Sequence, residues 1–300
     1  MADFIDDIKE NHKNYLNVVA FLINVVVTYC MGVFGPQNDQ EILFQYQTLV
    51  TPAEWTFVTW LVITISQGVL TAMQFRREHR GKEIVVEAIG YYFIGLCLGQ
   101  AAWVLAVIFG YFTFSFIAML ATLLCLIMIF KAQYNIPLAG EGKWEYWYFR
   151  FPIELHLGWL ISMSFVNFNV MLEDLDASST WLLAGAGISL VGTLICAAGS
   201  LWYLSKPKFV IAMALAWAML GVSIELRNPK QSIFAGYLDS QISAVQISAA
   251  FIATIIFTAL IVRLIKGVIK ERYQERVLEL TKSQEEAQTE AAASADYVLA

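Results

Sequence analysis

Charge is scarce in this chain. Only 15% of its 300 residues are Asp, Glu, Lys or Arg against 58% hydrophobic, with a mean hydropathy of +0.60. That balance excludes an ordinary soluble domain of this length. Concentrated positive charge is missing too: the net charge is -6, the pI is near 5.2, and Lys and Arg are dispersed among short connections. Without a basic patch there is no footprint for DNA or RNA, so nucleic acid is not an expected partner. Cysteine is limited to Cys30, Cys97, Cys125 and Cys196, all inside apolar runs and without CxxC spacing. They read as small buried hydrophobes, neither disulfides nor metal ligands. Enzyme signatures are lacking: no His/Glu or Cys/His set has metal spacing, and there is no nucleophile elbow or glycine-rich phosphate loop, so a non-enzymatic protein is expected. Residues 1–14 carry Asp3, Asp6, Asp7 and Glu10 and lack the plan of a secretory signal or transit peptide. Either the first apolar helix directs insertion or the chain is a processed form.

What the chain has in quantity is long apolar runs. Because a helix rises about 1.5 Å per residue, crossing the ~30 Å hydrocarbon layer takes about 20 apolar residues, and an unbroken helix satisfies its own backbone there. Eight segments qualify: Tyr15 to Phe34, Ala53 to Phe75, Ile84 to Phe109, Phe112 to Phe130, Phe151 to Leu172, Trp181 to Leu204, Phe209 to Leu226, and Gln241 to Val268. The third and fourth are parted only by Gly110 and Tyr111, so a tight turn is required. The expected fold is therefore all-α, a polytopic transmembrane bundle of about eight helices. Cytoplasmic connections retain positive charge. With eight crossings, seventeen of the nineteen Lys and Arg fall on one side, leaving only Arg227 and Lys230 opposite. One helix more or fewer would scramble that division, so both termini are expected on the cytoplasmic-type side. Beyond the last span, Lys266 to about Thr289 reads as a continuing charged helix with Val268, Ile269, Tyr273, Val277 and Leu280 roughly on one face, and Ala291 to Ala300 as a frayed end.

Further motifs are Thr51-Pro52-Ala53-Glu54-Trp55-Thr56-Phe57-Val58-Thr59-Trp60 followed by Gly68, then Gln100-Ala101-Ala102-Trp103, then Met119 to Leu124. Arg150-Phe151-Pro152 with Leu157-Gly158-Trp159 and Asn167, and Ala216 to Gly221, complete the series. In this order on consecutive helices they resemble the tryptophan-rich sensory protein family, also called the translocator protein or TspO/MBR family, in its longer branch. The departures are Thr64 where relatives often carry Tyr, a first loop reduced to Pro36 and Pro52, and three helices beyond the usual five. The resemblance implies a translocator-like five-helix bundle over 15–172, and the hydropathy and charge pattern sets around it a segment 1–14, three added spans over 173–268, and a charged helix and tail over 269–300.

A polar side chain in hydrocarbon needs a partner, so such residues face the bundle interior or a cavity. On the fifth helix His156, Trp159, Met163 and Asn167 lie within one stripe. Trp60, Thr64 and Gln67 share a face of the second, and Gln100 and Trp103 are adjacent on the third. Converging aromatic faces with a few polar anchors suit a flat apolar ligand, and the resemblance implies such a pocket for a tetrapyrrole (porphyrin, haem or chlorophyll type) or a sterol. The same Trp residues equally fit packing or interfacial anchoring, and Gln67, Gln100 and Asn167 fit plain interhelical hydrogen bonds. His156 could give a neutral imidazole as axial ligand to a bound tetrapyrrole metal, or be a structural histidine. Glu154 is expected to pair with Arg150 at i,i+4, Glu87 with Lys82 or Arg80, and Lys143 to Arg150 to form an aromatic belt. Expected partners are the lipid bilayer, an apolar small molecule, and either a second copy or a photosynthetic or respiratory membrane assembly reached through helices six to eight and the C-terminal helix. Cysteines engineered into Arg76–Lys82 and into Lys131–Arg150 should label from the same side of sealed vesicles.

Overall fold

The computed structural model describes residues 11–33, 46–137 and 143–299. Residues 1–10 and most of the first loop, on which sequence expectations were placed, lie outside the described residues. Among the described residues every regular element is helical. Helix α1 is His12–Val25, continued in wider π-turns over Val26–Val33, and α2 is Val58–Met73 behind the 3-10 turn Glu54–Phe57. Helix α3 is Tyr92–Ile108, preceded by Ile84–Ile89, and α4 is Phe112–Asn135. Helix α5 is Phe151–Asp174, entered through Lys143–Glu145 and Tyr146–Arg150, and α6 is Ser179–Ala198, prolonged by Gly199–Tyr203. Helices α7, Phe209–Glu225, α8, Gln231–Gly236, and α9, Asp239–Leu299, complete the order.

Seven of these are long and apolar enough to cross a bilayer, and α7, at 17 residues, is a shorter apolar helix. The expected eight spans thus become seven plus one that is nearly all inside the protein, with Ala212, Leu215, Ala216 and Ala218 fully enclosed. The short α8 was not foreseen in the sequence. The expected turn between α3 and α4 is a Schellman close: Tyr111 N–H donates to Ala106 O at 2.8 Å and Gly110 N–H to Val107 O at 3.0 Å, with Gly110 at φ 73°. That left-handed backbone is why glycine stands there.

The outward faces are greasy. Leu22 on α1, Phe114 and Leu124 on α4, and Val191 and Ile195 on α6 are all exposed, as hydrocarbon-facing helices require. The inward faces carry the polar residues. On α1, Asn14 Nδ2 donates to Gln74 O at 3.3 Å, Asn17 Nδ2 to Gln74 Oε1 at 3.2 Å, and Gln74 Nε2 returns to Asn14 O at 3.1 Å. This amide ladder pins α1 to the end of α2, since neither partner has water to fall back on.

Helix α5 is the hub, buried along most of its length between α2, α4, α6 and α7. Pro152 sits in its first turn, where the missing N–H costs nothing. At Gly158 the α7 backbone comes so close that an added Cβ would lie 2.8 Å from Ile211 O.

Contacts gather the basic connections at one end of the bundle: Lys13 Nζ reaches Val86 O at 3.4 Å, Lys82 pairs with Glu145 at 3.2 Å, and Lys208 pairs with Glu154 at 2.8 Å. One expected ion pair, and one of the two alternatives for another, are corrected here. Arg150 does not hold Glu154; its guanidinium donates to Gln133 O at 2.6 Å and Ile136 O at 2.7 Å, capping carbonyls left open where α4 ends. Glu154 is free for Lys208 and accepts a bond from Tyr146 at 3.0 Å. Lys82 is taken by Glu145 and not by Glu87, which is exposed. Within the expected aromatic belt, Trp144 and Trp147 are exposed, whereas Phe149 and Arg150 are buried. His79 packs edge-on against Tyr148 and Phe149, and burial, then the charge of Lys82, holds its imidazole below the ordinary histidine value.

By its internal contacts the chain divides into two units, Met1–Ile256 and Phe257–Ala300. In the second, the helix continues without a break to Leu299, into the stretch expected to fray, and Val268, Ile269, Tyr273, Val277 and Leu280 are exposed.

Gly158→Ala should destabilise the protein by about 1–3 kcal/mol, because the backbone of Ile211 has no rotamer with which to yield. Gly187→Ala on α6, with nothing within 4 Å, should be neutral or stabilising by up to about 1 kcal/mol. Thermal unfolding of the two variants in the same detergent checks the contrast.

Candidate functional site

Three helices bring their indoles together. Trp60 of α2 stacks on Trp103 of α3, ring centroids 5.7 Å apart and planes 25° apart. Trp60 also meets His156 at 5.6 Å and Trp159 at 6.4 Å, both edge-on from α5, and Phe57 closes the far side of Trp159 at 5.8 Å. Edge-to-face contacts of this kind bring the positive edge of one ring to the negative face of another. His156 and Trp159 are fully enclosed, and Trp60 is 7% exposed.

Hydrogen bonds tie the cluster to its polar residues. Gln67, one helical turn pair beyond Trp60, faces His156 Nδ1 at 2.8 Å through its amide. If the amide NH₂ donates, the imidazole proton sits on Nε2; with the amide reversed, Nδ1–H donates to the carbonyl and Nε2 becomes a free base. His156 Nε2 has no partner in either case. Trp103 Nε1–H donates to Asn167 Oδ1 at 2.9 Å, and Asn167 Nδ2 donates back along α5 to Met163 O at 2.9 Å. Ser115 of α4 stands 3.3 Å from the same Asn167 oxygen, though its single proton serves Phe112 O at 2.7 Å. Three more buried polar atoms are unpartnered around this core: Trp159 Nε1, Gln100 Oε1 and Ser162 Oγ. Buried polar atoms without partners are costly and uncommon, and several in one cluster mark a place where something polar is expected to arrive.

Of the nine residues singled out in the sequence, Trp60, Gln67, Trp103, His156, Trp159 and Asn167 are joined by these contacts. Gln100 is buried with its amide oxygen unpartnered. Thr64 turns elsewhere: it is half-buried, accepts a bond from Tyr29 of α1 at 2.9 Å and donates to Trp60 O. Met163 is buried against a cavity of about 10 Å³, which it lines with Ser162, Ser189 of α6, Ala218 and Met219 of α7, and Val50 and Pro52. That volume holds about one water. A larger hollow of about 590 Å³ is bordered by Gly110 to Phe114 and Asp174, and none of the nine residues lines it. Phe57, Ser115 and Ser162 were missed in the sequence, although a census of hydroxyls inside apolar windows would have raised the two serines. Among the described residues no group of three or more His, Cys, Asp or Glu side chains could hold a metal ion.

The rings as they stand leave no slot between them. An aromatic plane inserted between two others needs carbon contacts of about 3.5 Å on each side, about 7 Å in all, more than the 5.7 Å between Trp60 and Trp103. A flat ligand would have to turn one of these indoles aside.

Greasy outer helices around a buried aromatic and amide cluster define a multi-pass integral membrane protein of helical-bundle type. The model of the TSPO-like protein family matches residues 14–266, and the chain belongs to that family. No curated protein and no solved structure matches it.

Trp103→Phe keeps the ring stack but removes the indole donor, leaving Asn167 Oδ1 short of its best partner. We expect a loss of about 1–2 kcal/mol. In a double-mutant cycle with Asn167→Ala the second loss should be smaller in the Trp103→Phe background, measured by denaturant unfolding in micelles.

Proposed function

We propose that this TSPO-like protein is a non-enzymatic membrane protein that binds or passes an apolar ligand of the tetrapyrrole or sterol class at the Trp60, Trp103, His156 and Trp159 cluster. The observation that carries this reading is the meeting of three indoles from three helices with enclosed polar atoms that lack partners. A ring system with a polar edge would stack on the indoles and gain from burial, while a carboxylate, carbonyl or hydroxyl would accept from Trp159 Nε1–H. His156 Nε2, unpartnered and buried, would hold the metal of a haem or chlorophyll-type group if Gln67 fixed the tautomer with Nδ1 protonated. When bound, such a group would supply the chromophore and the metal centre. The chain's own residues would orient it, exclude water and fix the imidazole. Gln100 and Asn167 would add amide anchors, with Met163 as adaptable apolar surface.

A second reading is an accessory subunit of a larger membrane assembly, pigment-bearing or not. The exposed stripe Ile269, Tyr273, Val277 and Leu280 on the C-terminal helix favours it, because a stripe at helical spacing is suited to a partner helix. Stable co-migration with other subunits after mild detergent extraction would support this reading, and a lone particle would count against it.

Protoporphyrin or a sterol titrated into the purified protein should quench or shift Trp fluorescence saturably. Trp159→Phe, which removes the free indole donor and little volume, should weaken binding about tenfold, the factor for a hydrogen bond of ~1.4 kcal/mol. Linear, non-saturable quenching that is the same in the variant would remove the basis of this reading.

A further inference from the structure

The end of the bundle away from the basic connections carries a second feature. Helix α4 begins there at Phe112 and α5 finishes there at Asp174, so the apolar spans Ile84–Ile108, Phe112–Asn135 and Tyr146–Asp174 all reach the edge of the hydrocarbon at this level. The hollow of about 590 Å³ lies at that edge, within the ~300–1,000 Å³ of small-molecule sites. It is lined by the turn from Gly110 to Phe114 and by one carboxylate, Asp174. Phe112 is buried and backed by Tyr46, ring centroids 4.4 Å apart, whereas Tyr111 and Phe114 are 67% and 65% exposed. Open aromatic rings beside a carboxylate suit one kind of guest: the ring faces are negative, so the set attracts a bulky cation that needs no hydrogen bonds. The surrounding charge agrees. There is no Lys or Arg between Lys82 and Lys131 or between Arg150 and Lys206, whereas Glu173 and Asp176 flank Asp174. Arg227 and Lys230, the two bases expected on this side, are not part of the lining.

We propose that this hollow is a site for a phosphatidylcholine headgroup, with the quaternary ammonium seated on the Tyr111 and Phe114 rings beside Asp174. Thr113 offers a hydroxyl to the phosphate next to it. A lipid is the source that the surroundings favour, because the hollow sits at headgroup level and Ile117, Leu120 and Leu124 continue from Phe114 along the exposed flank of α4, where acyl chains would lie. An anionic headgroup would set its charge against Asp174 with no base in the lining. A primary ammonium is more strongly hydrated than a quaternary one and gains less from ring faces. The site is independent of the indole cluster, none of whose residues lines it.

The test uses the full-length protein purified in maltoside detergent, with native mass spectrometry of what it retains. Dioleoyl phosphatidylcholine, dioleoyl phosphatidylglycerol and tetramethylammonium chloride are titrated separately. Phosphatidylcholine should be retained in preference to phosphatidylglycerol, and tetramethylammonium should displace it only in large excess. Tyr111→Leu and Phe114→Leu, which keep apolar bulk but lose a ring face, should each weaken retention of phosphatidylcholine about fivefold, the factor of a cation–π contact at an exposed site, and Asp174→Asn by a similar factor. Tyr111→Trp should retain the lipid as the unaltered protein does. Trp147→Leu, at an exposed aromatic of the basic end, should change nothing. Equal retention of the two lipids, or equal losses in Trp147→Leu and Tyr111→Leu, overturns the site and leaves a general aromatic belt. Tetramethylammonium binding as tightly as the lipid overturns the lipid assignment. Where a ring variant lowers the unfolding temperature, Asp174→Asn, which alters no ring, decides: unchanged preference for phosphatidylcholine in that variant overturns the proposal.

Discussion

Inside a bilayer a polar group has no water to return to. Every amide, imidazole or carboxylate placed there must be answered by another part of the chain, and this constraint shapes the whole molecule. The backbone answers it with helices. The side chains answer it pairwise and across helices: Asn17 with Gln74, Gln67 with His156, Trp103 with Asn167, Gln47 with Glu225. The links between helices fix the rotation of each about its axis, because a helix turned by one residue would carry the group into lipid, and Gln47 ties a connecting segment to α7 in the same way. The bundle's specificity therefore resides in a handful of amides, while its bulk cohesion comes from packing.

Helix α5 concentrates this logic. Its apolar residues meet helices on nearly every side, and its polar residues divide by depth. Glu154 and Arg150, near the basic end, find Lys208 and the open carbonyls of α4. His156 and Asn167, deeper, find amides and indoles. Gly158 lets α7 approach to backbone contact, which converts a face that a five-helix bundle would leave to lipid into an internal one. The added helices thereby pack directly on α5, and the segment that leads into α2 is tied to them through Gln47 and Glu225.

The expected Arg150–Glu154 pair failed for an instructive reason. Spacing of four on a helix makes a pair possible, yet the end of α4 presents carbonyls that a guanidinium fork matches better, and Lys208, fifty-four residues away, arrives at Glu154. Thr64 is a similar case. It shares a helical face with Trp60 and Gln67, but α1 supplies Tyr29 on the flank of that face and takes the hydroxyl. Trp60, Trp103, His156 and Trp159 were legible because large aromatic and polar side chains on apolar helices have few places to go other than inward. Phe57, Ser115 and Ser162 were not, because nothing in their local spacing separates a cluster contact from ordinary packing.

Hydropathy and helix length determined an all-helical chain with long apolar rods and the tight turn at Gly110, and the ordered Trp, Pro, Gly and Asn motifs carried the resemblance that the family match over residues 14–266 bears out. These are properties of short stretches, governed by backbone satisfaction and residue-by-residue transfer into hydrocarbon, so they can be read locally. Tertiary structure decided which amide meets which indole, that α7 is a short helix enclosed by its neighbours, and that Gln47 reaches Glu225 and Lys230 from 178 and 183 residues away. Those outcomes depend on distances between helices and on competition among partners, and neither is encoded in the spacing of any single segment.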